Sequence, residues 1–407
     1  RRIVMSINKM IVAQSGGPTA AINSSLAGVI NCALEQGITI YGSVHGILGV
    51  IDNTLLSINE LAQKEENFIE RLRLTPAMYL GSCRYKLKGE EDYKKIFDRF
   101  DELDIDAFVY IGGNDSMDTV VKLSAYGESI NSPVRVIGVP KTVDNDLCGI
   151  DHSPGFGSAA KFVATSVREM AYDVSIYPVK SVTIVEIMGR DAGWLTASSV
   201  LARTETVKMP QLIYLPERAF DTEAFLTDVS NALDVDSHVM ICISEGIHDS
   251  NGNYISATDS KEDTFGHSML NGAGKCLENL ITEHLGVKVR SVELNIPQRC
   301  STHMASQTDL DEAFTLGSNA VKLAIDGSTG LIPILKRVSD APYKVEFTNV
   351  PASTIANNAR EVPQNWINDA SNNVTEDMVT YLKPLVLGEV KPVYKDGLPS
   401  YLEIPHL

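Results

Sequence analysis

No run of apolar residues in this sequence reaches the roughly 18–20 needed for a helix to cross a bilayer, so no membrane span is expected. Cysteine is scarce. The six residues, at 32, 83, 148, 242, 276 and 300, include no C-x-x-C pair. That scatter argues against a disulfide framework and a cysteine zinc site, and it points to a reducing, cytoplasmic setting. Basic charge is in deficit as well, with 35 Lys and Arg against 52 Asp and Glu, a net −17. Such a balance argues against nucleic acid or an anionic membrane as partner. A few local cations can still hold a phosphorylated small molecule. The eight histidines form no H-E-x-x-H pair and support no Ser-His-Asp arrangement. What remains is an ordinary globular composition, 44% apolar over 407 residues, enough for two α/β domains sharing a cleft or one large one.

The pattern that is present alternates short apolar runs with glycine-rich or polar turns. Residues 10–13 read as a strand, Ser15-Gly16-Gly17-Pro18-Thr19 as a turn, and Ile22, Leu26, Val29, Ile30 and Ala33 as one face of a helix. Residues 107–111 repeat the design before Gly112-Gly113-Asn114-Asp115-Ser116 and a helix carrying Val120, Val121 and Leu123. A third strand, 134–139, is ended by Pro140, which cannot donate to a ladder. Three strands that run into polar or glycine turns predict one cleft at their C-terminal ends. Further strands are predicted over 182–187, 212–215 and 239–244, so a second α/β half begins near Gly157. From about Asn349 the chain turns rich in asparagine and proline, which predicts surface loops with short helices.

Several of these turns carry chemistry. Pro140-Lys141-Thr142-Val143-Asp144-Asn145-Asp146 gathers a cation, a hydroxyl, two carboxylates and an amide at one strand end. That set suits a base, a metal contact and a phosphate contact. At Gly112-Gly113-Asn114-Asp115-Ser116, two glycines let the backbone approach an anion, and a carboxylate beside a phosphate makes sense mainly with Mg²⁺. Gly81-Ser82-Cys83-Arg84 sets an arginine after a third glycine turn. Gly155-Phe156-Gly157-Ser158-Ala159-Ala160 fits a loose dinucleotide pattern, but Pro154 and no strand precedes it, so nicotinamide binding is set aside.

Taken in order, these pieces resemble the phosphofructokinase family, specifically its pyrophosphate-dependent branch. The matching elements are Ser15-Gly16-Gly17-Pro18, Gly81-Ser82-Cys83-Arg84, Gly112–Ser116, Pro140–Asp146, Pro154-Gly155-Phe156, Met188-Gly189-Arg190, Ser244-Glu245-Gly246 and Pro297-Gln298-Arg299, spread over about residues 9–325. The resemblance implies two three-layer α/β/α domains with the active site in the cleft between them. Residues 9–156, with a contribution from about 297–345, would hold the phosphoryl donor. Residues 157–296 would bind fructose 6-phosphate, and 346–407 would be a loop-rich C-terminal extension.

The implied reaction is reversible phosphoryl transfer from pyrophosphate to the 1-hydroxyl of fructose 6-phosphate, giving fructose 1,6-bisphosphate and phosphate, with Mg²⁺. By the same resemblance Asp144 is the general base and Thr142 contacts the acceptor. Arg84 and the backbone at Gly16, Gly17, Gly113 and Ser116 hold the donor, and Asn114 and Asp115 attend the metal. Asp146 lies beside the substrate as a further metal contact. Met188, Gly189, Arg190, Glu245 and Arg299 line the sugar-phosphate pocket. Arg290 stands where the family has an arginine reaching from a neighbouring subunit, which implies a homodimer or homotetramer.

Donor choice rests on two positions: relatives that use ATP carry glycine where this chain has Asp115 and Lys141. Asp115 fills and charges the space for a nucleotide α-phosphate, and Lys141 can reach the leaving phosphate. Three departures run against the family pattern. Asn114 replaces a metal-ligating aspartate, Ile296 replaces a histidine or tyrosine, and Ser181 replaces a phosphate-binding arginine, with Lys180 next to it as a substitute. These departures keep open a non-catalytic, sugar-phosphate-binding regulatory subunit, and an ATP-dependent phosphofructokinase is the nearer alternative.

Overall fold

The computed structural model describes residues 6–255, 261–262, 268–269 and 272–406. The first lobe runs β1 (Lys9–Gln14), α1 (Ile22–Glu35), β2 (Thr39–Ser43), β3 (Leu55–Ser57), β4 (Ala107–Gly112), α2 (Asn114–Ser129) and β5 (Arg135–Pro140). The second runs α3 (Phe156–Val174), β6 (Ser181–Ile187), β7 (Leu212–Tyr214), α4 (Thr222–Val235), β8 (His238–Ser244), α5 (Ala273–Leu285) and β9 (Lys288–Glu293). The chain then adds α6 (Gln307–Ile325), β10 (Leu331–Asp340), β11 (Tyr343–Pro351) and α7 (Glu376–Leu382).

Two main sheets result, each with helices against it, besides two small two-stranded ones among the described residues. The larger has the order β11-β10-β5-β4-β1-β2-β3, parallel through its centre and closed at each edge by an antiparallel strand. The smaller, β9-β6-β8-β7, is parallel throughout. Parallel strands need both faces covered, and β4 and β8 are buried at every residue. That explains why continuous apolar runs mark the central strands so well. All six strands predicted from the sequence form, within a residue or two of the expected bounds. The edge strands β9 and β11 did not stand out. Their residues are half exposed and mixed in polarity, so no apolar run announces them.

The asparagine- and proline-rich tail contains the expected loops and short helices, but it is not confined to the surface. Val362, Ile367, Met378, Leu382 and Leu385 are buried in the same core as Phe156, Val163 and Trp194. Ala352, Ile355 and Ala356 pack into the core of the larger sheet. The tail therefore ties the two cores together. Its aliphatics are irregularly spaced among polar residues, so neither helical nor strand periodicity reveals them.

A buried ionic cluster sits at this junction. His152, 1% exposed, pairs through Nδ1 with Asp151 and through Nε2 with Glu312, each at 2.7 Å. Arg337 holds Asp151 at 3.1 Å, and the Tyr343 hydroxyl donates to Glu312 at 2.6 Å. Burial opposes a charge on His152, but the Glu312 and Asp151 carboxylates outweigh it and push the pKa up from 6.5 to about 9. A pKa raised on folding adds stability that is complete below pH 6.5 and disappears as pH rises through about 9. Thermal denaturation should therefore show Tm falling across that window. His152→Gln should flatten the fall and cost about 3 kcal/mol at pH 6. An unchanged slope in the variant would assign the effect to another group.

Candidate active site

Five strand ends of the two sheets meet in one cleft of about 590 Å³. Gly16 follows β1 with φ +82°, a conformation that favours glycine, and a Cβ there would lie 3.0 Å from the Lys141 Nζ. After β4, α2 begins at Asn114 with Gly113 as its N-cap and no side chain closing the helix end. Its free N–H groups and dipole make that end a ready anion site. Pro140 ends β5, and Lys141 turns inward. Met188-Gly189-Arg190 follows β6, and Glu245 follows β8. Gly246 is required here by close approach, because a Cβ would stand 1.8 Å from the Arg190 carbonyl oxygen.

The cleft wall carries four cations, Arg84, Lys141, Arg190 and Arg299, and five carboxylates, Asp115, Asp144, Asp146, Asp191 and Glu245. Lys141 is 3% exposed and donates to the Gly17 carbonyl oxygen at 2.7 Å. Burial pulls its pKa down to about 8, against the pull of Asp144 and Asp146. The same burial pushes Asp144 above the usual carboxylate range, with Lys141 and Arg190 opposing. Asp146 is pushed up to about 7 by burial and by Asp144, and its Oδ1 is buried without a hydrogen-bond partner. Glu245, which accepts from the Gly189 N–H at 3.3 Å, is likewise raised to about 7 by burial. The Thr142 hydroxyl accepts from the Asp144 N–H at 3.2 Å and so fixes the turn around that carboxylate.

Of the residues singled out from the sequence, Gly16, Gly17, Arg84, Gly113, Asn114, Asp115, Ser116, Lys141, Thr142, Asp144, Asp146, Met188, Arg190, Glu245 and Arg299 all line this cleft. Gly189 does not line it directly but hydrogen-bonds Glu245. Arg299 reaches further than expected, its guanidinium 3.6 Å from the Cβ position of Gly17. Arg290 is absent from this chain's cleft: it sits exposed on the edge strand β9, beside a small apolar hollow that includes Tyr177 and Val179. The ammonium of Lys180 is held by the Leu233 carbonyl oxygen at 2.9 Å and Ser181 pairs with His238, so neither reaches the cleft. Ile296 is 55% exposed. The residues that sequence reading missed include Asp191 and Ala359, besides Tyr85, Thr119 and Ala192. Asp191 adjoins a recognised motif and was within reach; Ala359 lies in the tail, where nothing marked it.

The loose dinucleotide motif opens α3, but that helix end is already filled. Asp309 accepts from the N–H groups of Gly155 at 2.8 Å and Ser158 at 2.9 Å and from the Ser158 hydroxyl at 2.5 Å. A fixed internal carboxylate occupies the place a cofactor's phosphates would need.

A cleft that combines an open helix end, a buried ammonium, three arginines and a raised carboxylate grips a polyanion and takes up a proton beside it, as a phosphotransferase must. The chain belongs to the phosphofructokinase family, whose model, described as Phosphofructokinase, matches residues 9–324. It is 39% identical over 410 aligned positions to the pyrophosphate–fructose 6-phosphate 1-phosphotransferase of Xanthomonas campestris, covering 99% of this chain and 97% of that one. A sulfofructose kinase from Alkalicoccus urumqiensis is 35% identical, covering 89% of this chain and 92% of the relative. The crystal structure of a pyrophosphate-dependent phosphofructokinase from Nitrosospira multiformis superposes with a TM-score of 0.89 at 35% identity, covering 98% of this chain and 96% of that one.

Asn114 has a structural duty here. With its amide oriented to satisfy its neighbours, Nδ2 donates to the main-chain oxygens of Ile355 at 2.9 Å and Asn358 at 3.2 Å. A carboxylate would face those two oxygens with charge and no proton. Asn114→Asp should therefore lower stability by about 1–3 kcal/mol and open the 355–358 segment to hydrogen exchange. Unchanged exchange there would separate Asn114 from the tail.

Proposed function

We propose that this protein transfers a phosphoryl group from pyrophosphate to the 1-hydroxyl of fructose 6-phosphate, reversibly, giving fructose 1,6-bisphosphate and phosphate. The observation that carries the donor reading is Lys141, buried with its ammonium 2.7 Å from the Gly17 oxygen, at a position where nucleotide-using relatives have glycine. Asp115, exposed in the first turn of α2, adds bulk and negative charge where a nucleotide's α-phosphate would lie.

In this reading residues 9–156, with a contribution from about 297–345, hold the donor and 157–296 hold the sugar, with 346–407 as an extension. Pyrophosphate lies against the α2 N-terminus and the Gly16-Gly17 turn, with Arg84 on the phosphoryl group to be moved. Asp144 takes the proton of the sugar's 1-hydroxyl as that oxygen forms its bond to phosphorus. The bond to the departing phosphate breaks, and Lys141 meets the charge that develops there. The raised pKa of Asp144 is an advantage here, because a base closer to neutrality accepts a proton more readily. Met188, Gly189, Arg190, Glu245 and Arg299 hold the sugar phosphate. Arg290 completes that pocket from a second copy, which makes the active form a homo-oligomer, a dimer or tetramer.

The donor set suits magnesium. Asp115, the Asn114 amide and the unpartnered Asp146 oxygen are hard ligands, and no three His, Cys, Asp or Glu cluster as a cage among the described residues. Magnesium commonly takes few protein ligands and fills its shell with phosphate and water. Bound there, it would neutralise charge on the donor's phosphates. No helix among the described residues is long and apolar enough to cross a membrane, and the cysteines are free, in keeping with a cytoplasmic setting.

The test is turnover of fructose 6-phosphate with magnesium, comparing pyrophosphate with ATP. Pyrophosphate should be the faster donor, and Asp144→Asn should lower kcat by about 10²–10⁴-fold while fructose 6-phosphate still binds. Faster turnover with ATP would overturn the donor reading. Binding with no turnover from either donor would leave the regulatory-subunit reading in its place. Sulfofructose, the sugar named for the Alkalicoccus relative, is the competing acceptor to include.

A further inference from the structure

The turn that carries Asp144 and Asp146 is held from behind by residues far along the chain, outside the stretch matched to the family. Asn145, between the two carboxylates, is fully buried with φ +57° and points away from the cleft. Its Oδ1 accepts from the Ser153 N–H at 2.9 Å, and its Nδ2 donates to the Tyr381 hydroxyl at 2.9 Å. That hydroxyl donates in turn to the Asp151 carbonyl oxygen at 2.8 Å.

Arg360 completes the clamp. Its main-chain N–H donates to the Asp146 carbonyl oxygen at 2.7 Å. Its guanidinium donates to the carbonyl oxygens of Asn145 at 3.1 Å, Ile150 at 2.9 Å and Asp151 at 2.6 Å, and to the Tyr381 hydroxyl at 3.3 Å. One side chain thus collects three main-chain oxygens from both limbs of the 145–151 loop. Arg360 is itself fixed, with its guanidinium 4.5 Å from the Trp194 ring centre and its carbonyl oxygen accepting from the Trp194 indole N–H at 3.1 Å. Of the residues joined in this clamp, only Asp146 lines the cleft.

We infer that Arg360 and Tyr381 are positioning residues for the reaction, setting the placement of the Asp144 and Asp146 carboxylates through the backbone of Asn145 and Asp146. A residue with φ near +57° holds a side-chain direction only while the surrounding bonds keep it there. Loosening the clamp moves the base relative to the acceptor hydroxyl, while none of the clamp's bonds named above goes to Arg84, Lys141, Arg190 or Arg299. A displacement of about 1 Å can cost about 10²-fold in rate.

This role rests on the phosphoryl transfer proposed above. The experiment compares the full wild-type chain with Arg360→Met and Tyr381→Phe in fructose 6-phosphate, pyrophosphate and magnesium, measuring kcat, both KM values and Tm. Arg360→Met should lower kcat by about 10–100-fold and Tyr381→Phe by about tenfold, with both KM values within about threefold of wild type. A merely structural part would instead scale activity with the folded fraction and leave kcat per folded molecule unchanged, and that outcome overturns the positioning role. If Arg360→Met does not fold, Tyr381→Phe decides alone, since it removes one oxygen and keeps the ring. A wild-type kcat in Tyr381→Phe is then sufficient to reject the role. An inactive wild-type chain instead overturns the proposed function, and the positioning role falls with it.

Discussion

One ammonium kept out of water organises this cleft. Lys141 is buried by the glycine turn after β1 and by the end of β5, and burial works against its charge. Asp144 and Asp146 hold the charge in place, while Arg299 works against them. The dependence is mutual, because the same burial raises both carboxylates and Lys141 is the first cation to oppose that rise on Asp144. Removing one partner leaves uncompensated buried charge on the others, which is the costly case. A phosphate entering such a site meets one ammonium already out of water, where electrostatic attraction is strongest, beside half-buried and exposed guanidinium groups.

Two helix N-termini close to that cluster show how one side chain assigns different duties to similar geometry. The end of α2 is uncapped and faces the cleft, so its dipole is available to a ligand. The end of α3 adjoins the same turn through the Thr142 N–H to Pro154 carbonyl bond, yet Asp309 satisfies it from inside. A glycine pattern at a helix start is therefore half of an anion site. The other half is whether the chain brings its own anion.

The sequence made the cleft legible because its residues cluster in short motifs at the ends of strongly apolar strands. Gly16, Lys141 and Asp144 stood out from local pattern, resemblance to the phosphofructokinase family added Arg190 and Glu245, and the parallel sheets that gather them follow from the apolar runs. The support behind the site was not legible. Asn145 and Tyr381 are 236 residues apart and Arg360 lies 215 from Asn145, so nothing local links them. Their partners are mainly backbone oxygens, which leave no trace in residue type. Asn114 illustrates the same limit. Its identity reads as a metal ligand with less charge, and no local pattern shows that its amide nitrogen also serves two carbonyls of the tail. The tail itself read as surface because its buried aliphatics follow no period.

The central claim is that this buried cluster moves a phosphoryl group between a sugar and inorganic phosphate. ³¹P NMR of the protein with fructose 1,6-bisphosphate, phosphate and magnesium tests it most directly, because the proposed transfer must also run backwards. A pyrophosphate resonance should grow one for one as the bisphosphate is consumed. Loss of the bisphosphate without pyrophosphate, or no change at all in an otherwise folded protein, would contradict it.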